Sequence, residues 1–188
     1  MILPVYVVGC PLLRRKAGPV EEGMEGLDTL IADMWDTMYK IDGVGLAAPQ
    51  IGKSLRIFVI DASPYAEEDP ALVDFKQVFI NAEILDYSGD PYPFQEGCLS
   101  VPGIHEEVVR PAEVTIRYQD ETFQTFEQHF SGVAARVIQH EYDHLEGKLF
   151  IDKLNPLKRR LLASQIDRIG KGKSDVAYRV VLPSNKRR

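Results

Sequence analysis

The sequence is poor in cysteine and has no apolar run long enough to cross a bilayer. Its two cysteines, Cys10 and Cys98, cannot form the disulfide framework of a small secreted protein; they suit a reducing compartment or a metal site better. The apolar N-terminus lacks a preceding basic residue and is interrupted by Pro4, which argues against a lipoprotein signal ending at Cys10. We therefore expect a cytoplasmic protein that does not enter the membrane.

Internal repeats are also absent, and no change of composition marks a domain boundary. The chain has 188 residues, 45% of them hydrophobic and 27% charged, which are ordinary values for a globular protein. These values predict one domain that covers residues 1–188.

Positive charge is scarce except near the C-terminus. The net charge is -6, yet residues 153–188 carry eleven Lys or Arg and two Asp or Glu, so they contribute +9 and residues 1–152 contribute -15. We interpret residues 171–188 as a basic C-terminal extension. It could bind a polyanion such as RNA, or it could be a solvated, partly disordered end, which charge alone favours.

Two histidines four residues apart give the clearest chemical signal. Residues 133–147 have helical periodicity, so His140 and His144 lie one turn apart on the same face and can bind one cation. Glu141 can reach a water on that cation, as in the H-E-x-x-H arrangement of hydrolytic metal sites. The helix spacing places three other residues on the opposite face: Ala135, Gln139 and Tyr142.

A catalytic metal site usually has three protein ligands, so the histidine pair needs a third. Cys98, on a glycine- and proline-flanked segment, could be a thiolate ligand or simply a buried small apolar residue. His105 and His129 compete for the same role, although the alternating pattern around His129 favours a solvent-facing position. The residue pattern alone leaves the third ligand open.

The remaining periodicities predict an α+β fold, in which small antiparallel β-sheets pack around the central metal-binding helix. An N-terminal helix covers one side and a C-terminal helix lies outside. The supporting segments are a helix at 21–41, strands at 55–60 and 77–85, a polar loop at 62–76, hairpin strands at 108–118 and 123–130, a helix opening at Asn155–Pro156, and a last strand at 178–182.

The small residues from Gly43 to Gln50 allow the backbone to approach another group closely. They are interpreted either as a tight connection between helix and strand, or as a loop that lays backbone groups along a substrate with the Gln50 amide as a donor.

Three stretches together resemble the bacterial peptide deformylases. They are Gly43–Gln50 (GVGLAAPQ), Glu96–Ser100 (EGCLS) and Gln139–Leu145 (QHEYDHL), which match the family motifs GxGLAAxQ, EGCLS and QHExDHL in order. The similarity extends to residues 11–15 and 149–152. The polar segment 62–76 and the residues after Gly170 lie outside it.

The resemblance implies that Cys98, His140 and His144 bind one metal ion, with water in the fourth position. It implies removal of the formyl group from the N-terminal formyl-methionine of newly made polypeptides. The metal expected from the family is Fe²⁺ in cells, with Zn²⁺, Ni²⁺ or Co²⁺ as substitutes in purified protein.

The family also suggests roles for residues around the metal. Glu141 would carry the proton to the departing amine, while the Gln50 side chain and the Leu99 backbone N–H would donate to the oxyanion. Substrate-binding roles fall on Val44, Gly45, Val133 and Val137. An ion pair between Glu96 and Arg110 is expected behind the methionine pocket, and Arg136 receives no role.

The expected partners are N-formylmethionyl nascent polypeptides and, through basic residues of the C-terminal region, the ribosome. These basic residues are Lys158, Arg159, Arg160 and Lys186–Arg188. The alternatives are an H-E-x-x-H metallopeptidase or another metal-dependent amidase, a binding module with a structural metal, and an RNA-binding protein. A metallopeptidase usually takes a third His or Glu ligand downstream, and no histidine follows His144.

Overall fold

The computed structural model describes residues 1–184. Within that range the helices are α1 (Leu27–Lys40), α2 (Gly132–Leu145) and α3 (Pro156–Gly170). The strands are β1 (Val5–Tyr6), β2 (Gly45–Ala47), β3 (Ile57–Asp61), β4 (Lys76–Ser88), β5 (Tyr92–Gly97), β6 (His105–Arg110), β7 (Glu113–Gln119), β8 (Thr125–Ser131) and β9 (Val180–Val181). Short 3-10 turns connect several of them. The basic residues 186–188 lie outside the described residues.

A five-stranded antiparallel sheet in the order β2-β3-β4-β7-β8 separates the first two helices. Successive side chains of β3 point to opposite faces. Ile57 and Val59 pack with α1, whereas Phe58 and Ile60 pack with α2. The continuous apolar run of β3 is therefore explained by burial on both faces, and the α+β arrangement around a central helix is confirmed.

Helix α2 is buried on nearly all sides. Ala135 and Gln139 have exposed fractions of 0% and 3%, although the helix spacing places them away from the histidines. Gln139 Nε2 donates to the carbonyl of Pro111 at 2.9 Å, which shows what covers this second face. Helix α2 therefore lies within the core, because strands β5 and β6 and the connection at Pro111 enclose its second face.

Two smaller sheets flank the main one. Strands β5 and β6 pair antiparallel, and β1 pairs with β9 in parallel. The parallel pair joins the two ends of the described chain. It is an exception to the predicted antiparallel pairing. The predicted strand at 178–182 is present as the shorter β9, which pairs with β1 near the N-terminus.

The predicted strand 108–118 is wrong. It comprises the end of β6 and most of β7, which belong to different sheets. Pro111 lies between them and cannot donate a ladder hydrogen bond, so pairing stops there. The segment from Phe94 to Gly97 is the end of β5, and the turn that follows it carries Cys98.

Helix boundaries also differ from the prediction at 21–41. Helix α1 begins only at Leu27, because Gly26 before it has a left-handed backbone with φ 76°. Helix α3 begins as predicted, with the Asn155 side chain accepting a hydrogen bond from Lys158 N. Its apolar residues are only partly buried, since Leu157 and Leu161 are 67% and 75% exposed.

A helix with the length and hydropathy needed to cross a membrane does not occur among residues 1–184.

Candidate active site

Two elements bring three potential metal ligands together. Helix α2 supplies His140 and His144, and the turn after β5 supplies Cys98. One ligand atom from each of the three lies within 4.8 Å of the others. Cys98 Sγ lies 3.3 Å from His144 Nε2. Of the three candidates for a third ligand, the structure brings Cys98 to the histidine pair, whereas His105 and His129 lie on exposed positions of β6 and β8.

A buried charge network orients His140. Its Nδ1 lies 2.9 Å from Glu96 Oε2, so Nε2 is the ring atom left for a metal. Arg110 donates to both oxygens of Glu96, at 2.6 and 2.9 Å, and to Asp143 at 2.7 Å. Burial acts to raise the pKa of Glu96, but the Arg110 and His140 hydrogen bonds outweigh it and hold this pKa at about 2. The expected pair of Glu96 and Arg110 is therefore present.

Glu141 has a free carboxylate in a tight space. Burial raises its pKa to about 7, and its Oε2 has no hydrogen-bond partner among the described residues. A Cβ atom placed on Gly45 would lie 2.5 Å from Glu141 Oε1. Glycine is thus required at position 45 to make room for this carboxylate, a reason that sequence reasoning does not supply.

The Gln50 side chain is oriented for donation toward the cysteine. Its Oε1 accepts a hydrogen bond from Ala47 N at 2.8 Å, which leaves the amide hydrogens for other acceptors. Nε2 lies 3.5 Å from Cys98 Sγ and 3.3 Å from Ser100 Oγ. Because Gln50 is 1% exposed, this orientation is held by packing as well as by the hydrogen bond.

A cavity of about 650 Å³ opens beside these groups. Its lining includes the three predicted catalytic residues Gln50, Leu99 and Glu141. It also includes the predicted substrate-binding residues Val44, Gly45 and Val137. Val133 is not among them; it packs against the core between α2 and the main sheet. A substrate-binding role of Val133 stays a prediction.

Three residues of the site carry no clear sequence signal. Arg136 is 2% exposed, donates to the carbonyls of Val108 and Tyr92, and lies over the Tyr92 ring. Asp143 pairs with Arg110, a contact between α2 and β6 that its place in the QHEYDHL stretch does not reveal. Tyr178 reaches the cavity from the C-terminal segment, which no motif covers.

The donor set fits one tetrahedral metal ion. A thiolate and an imidazole nitrogen bound to zinc-like ions at about 2.3 and 2.0 Å lie roughly 3.5 Å apart in a tetrahedron. The 3.3 Å between Cys98 and His144 is close to that separation. Three protein ligands beside an open cavity also leave a position for water or substrate, as catalytic rather than structural sites do.

Comparisons with known proteins agree with this geometry. The family model described as polypeptide deformylase matches residues 2–160. A peptide deformylase of Christiangramia forsetii is 46% identical over 194 aligned positions, which cover 100% of this chain and 99% of the relative. The crystal structure of a peptide deformylase from Legionella pneumophila has a TM-score of 0.79 at 43% identity, and covers 92% of this chain and 98% of its own.

A second crystal structure, a peptide deformylase from Thermus thermophilus, has a TM-score of 0.80 at 39% identity and covers 92% of this chain and 100% of its own. These matches favour deformylation over the metallopeptidase and amidase alternatives. The chain belongs to the peptide deformylase family, the metal-dependent hydrolases that remove the formyl group from newly synthesised polypeptides.

Proposed function

We propose that Cys98, His140 and His144 bind the catalytic metal of this deformylase and that Glu141 carries the proton in the reaction. The observation that supports it best is the position of Glu141. Its Oε2 has no hydrogen-bond partner among the described residues, and Glu141 lines the same cavity as Cys98 and His140. When bound, the metal supplies Lewis-acid chemistry that makes hydroxide available near neutral pH.

Glu141 carries the proton between the two halves of the hydrolysis. As the oxygen of water attacks the formyl carbon, one Glu141 oxygen accepts the proton that water loses. The bond between the formyl carbon and the amide nitrogen then breaks as Glu141 gives this proton to the departing amine. A free N-terminus and formic acid result, and the formic acid loses its proton to solvent as formate. A carboxyl with a pKa of about 7 can both accept and release a proton near neutrality.

Gln50 and Leu99 stabilise the oxyanion of the intermediate. The Gln50 amide is held by Ala47 with its Nε2 toward Cys98, next to the proposed reaction centre. None of the described hydrogen bonds is donated by the Leu99 N–H, so this N–H is free to donate to a substrate oxygen. Removing one such donor typically lowers the rate by roughly 10²–10³.

The substrate backbone adds to the edge of the main sheet. Strand β2 is the first strand of that sheet and pairs with β3 on one side only. Val44 and Gly45, at the start of this strand, line the cavity. An extended peptide can pair with such an edge through backbone hydrogen bonds, while Val44, Val137 and Val133 receive the methionine side chain.

Fe²⁺ is the proposed resident metal, and Zn²⁺, Ni²⁺ or Co²⁺ can replace it in purified protein. A thiolate with two imidazoles suits both iron and zinc, so the ligands alone do not select the metal. Anaerobic metal exchange followed by activity assays tests this proposal. We expect the iron enzyme to be the more active, and equal activity with zinc would contradict it.

We further propose that the enzyme is cytoplasmic and that residues 1–188 form one domain. We also propose that it reaches nascent chains at the ribosome through its basic C-terminal region. Lys158, Arg159 and Arg160 on α3 provide positive charge for RNA phosphate, and residues 171–188 extend it. Two free cysteines suit a reducing compartment. Ribosome binding should weaken steeply with salt. Salt-independent binding, or unchanged binding after truncation past Asn155, would count against this docking.

A direct assay tests the activity. Purified, iron-loaded enzyme is given a peptide with an N-terminal formyl-methionine, and the same peptide with an acetyl group serves as the matched control. We expect formate release from the first peptide and little reaction with the second. Comparable cleavage of both, or internal cleavage of the peptides, would support the amidase or metallopeptidase alternative instead.

A further inference from the structure

The C-terminal segment that follows α3 returns to the active-site cavity. Residues 175–178 form part of the cavity wall, although they lie beyond residue 160, where the family match ends. In that wall Tyr178 donates a hydrogen bond from its hydroxyl to the carbonyl oxygen of Leu99 at 2.8 Å. Leu99 lies between Cys98 and Ser100, in the turn that supplies the proposed ligand and oxyanion donor.

Strand pairing holds this segment in place. Val5 N donates to Arg179 O at 2.9 Å and Val7 N donates to Val181 O at 3.2 Å, so β9 is fixed along β1. The next residue of the same N-terminal stretch, Val8, donates from its N to Ser100 O at 2.8 Å. The N-terminal stretch therefore connects the C-terminal strand and the Cys98–Ser100 turn through three backbone hydrogen bonds.

Side-chain packing completes the anchor. A Cβ atom on Gly9 would lie 2.7 Å from Pro183 Cγ, so glycine at this position leaves room for the C-terminal chain to cross. Cys10 Sγ also donates to Val181 O at 3.3 Å. Val180 and Cys98 both pack against the same small core cluster. These contacts hold the C-terminal segment in place as part of the cavity wall.

We propose that Tyr178 is a positioning residue for deformylation. It holds the Leu99–Ser100 peptide group, and so restrains the turn in which the adjacent Cys98–Leu99 peptide group points its N–H, the Leu99 N–H, at the oxyanion. The proposal rests on the oxyanion role of Leu99 given above. A carbonyl held by a hydrogen bond resists rotation of the turn, and an oxyanion donor is effective only when it is held in place before the reaction. The C-terminal segment would thus belong to the active site.

The test is Tyr178→Phe, which keeps the ring in the wall and removes only the hydroxyl. We expect kcat to fall roughly three- to tenfold, as the loss of one net hydrogen bond implies. KM for a formyl-methionyl peptide should change less than about twofold, because an oxyanion donor acts in the transition state and not on the bound substrate. Iron content and far-UV circular dichroism should match the wild type.

Tyr118→Phe is the matched control. Its hydroxyl donates to Gln128 Oε1 at 2.5 Å across β7 and β8, far from the cavity lining, so its loss should affect stability and leave kcat unchanged. An unchanged kcat in Tyr178→Phe, beside a strongly impaired Gln50→Ala, would overturn the inference and leave the proposed function intact. Equal loss of activity in both Tyr variants would also overturn it. An inactive wild type would overturn both proposals.

Discussion

His140 Nδ1 lies 2.9 Å from Glu96 Oε2, and Glu96 is itself held by two hydrogen bonds from Arg110. This contact determines which nitrogen of the ring faces Cys98 and His144. It also explains how the Glu96 carboxylate can be buried, with an exposed fraction of 5%, because Arg110 and His140 satisfy its oxygens. The orientation of His140 in the proposed ligand set thus depends on a charge network on the far side of its ring.

Removal of the Glu96 charge should weaken metal binding. In Glu96→Gln the ring of His140 loses its charged acceptor, and loss of such a partner typically lowers metal affinity roughly 10- to 100-fold. Competition with a chelator measures the affinity. Glu107→Gln, on the exposed side of β6, is the control and should bind metal as the wild type does. Equal affinities for both variants would contradict the orienting role.

Removal of the Glu141 carboxylate should abolish turnover without loss of metal. We expect Glu141→Ala to reduce kcat by about 10²–10⁴, the usual contribution of a positioned general acid–base group. The proposed metal ligands Cys98, His140 and His144 are unchanged in this variant, so metal content by elemental analysis should equal that of the wild type. Turnover near the wild-type level would refute the assignment of Glu141 as proton carrier.

A methyl group at position 45 should displace that same carboxylate. In Gly45→Ala the new Cβ would lie 2.5 Å from Glu141 Oε1, and a shift of about 1 Å in a catalytic group can cost roughly 10² in rate. Steady-state kinetics measure the loss. Gly18→Ala is the control, because the nearest atom to its new Cβ is Ser54 O at 3.6 Å, an ordinary contact. If Gly45→Ala kept full activity, the carboxylate would not need its present position.

The ion pair between Arg14 and Asp152 should make stability depend on pH on the acid side. Burial acts to raise the pKa of Asp152, but hydrogen bonds from Arg14 and from Leu149 N outweigh it and lower this pKa. A carboxyl with a lowered pKa stabilises the fold above its unfolded value of about 3.9, and this stability is lost as the pH falls through the folded pKa.

Asp152→Asn should therefore lower Tm at neutral pH, and the difference from the wild type should shrink as the pH falls below about 4. Thermal melts over that range measure it. Asp90→Asn, an exposed position, is the control and should follow the wild type throughout. A difference that stayed constant with pH would show that the Asp152 charge does not stabilise the fold.

Local patterns were enough to predict helix α2 and the candidate metal ligands on it. The i, i+4 spacing of His140 and His144 places both rings on one helical face, a relation set by helix geometry alone. Asn155 and Pro156 likewise predict the start of α3, because a cap and a proline act on the adjacent turn. Family motifs then supplied Cys98, whose position in sequence is 42 residues before His140.

The sequence by itself determined the α+β class and which residues are candidates for the metal ligands and the catalytic carboxylate, since these depend on residue chemistry and short-range periodicity. Only the tertiary structure decided that both faces of α2 are buried, that Gly45 makes room for Glu141, and that the C-terminal segment reaches Leu99. Each of these is a contact between segments far apart in the chain. Such contacts depend on how sheets and helices pack together. The 3.6- and 2-residue periods of single elements do not encode this packing.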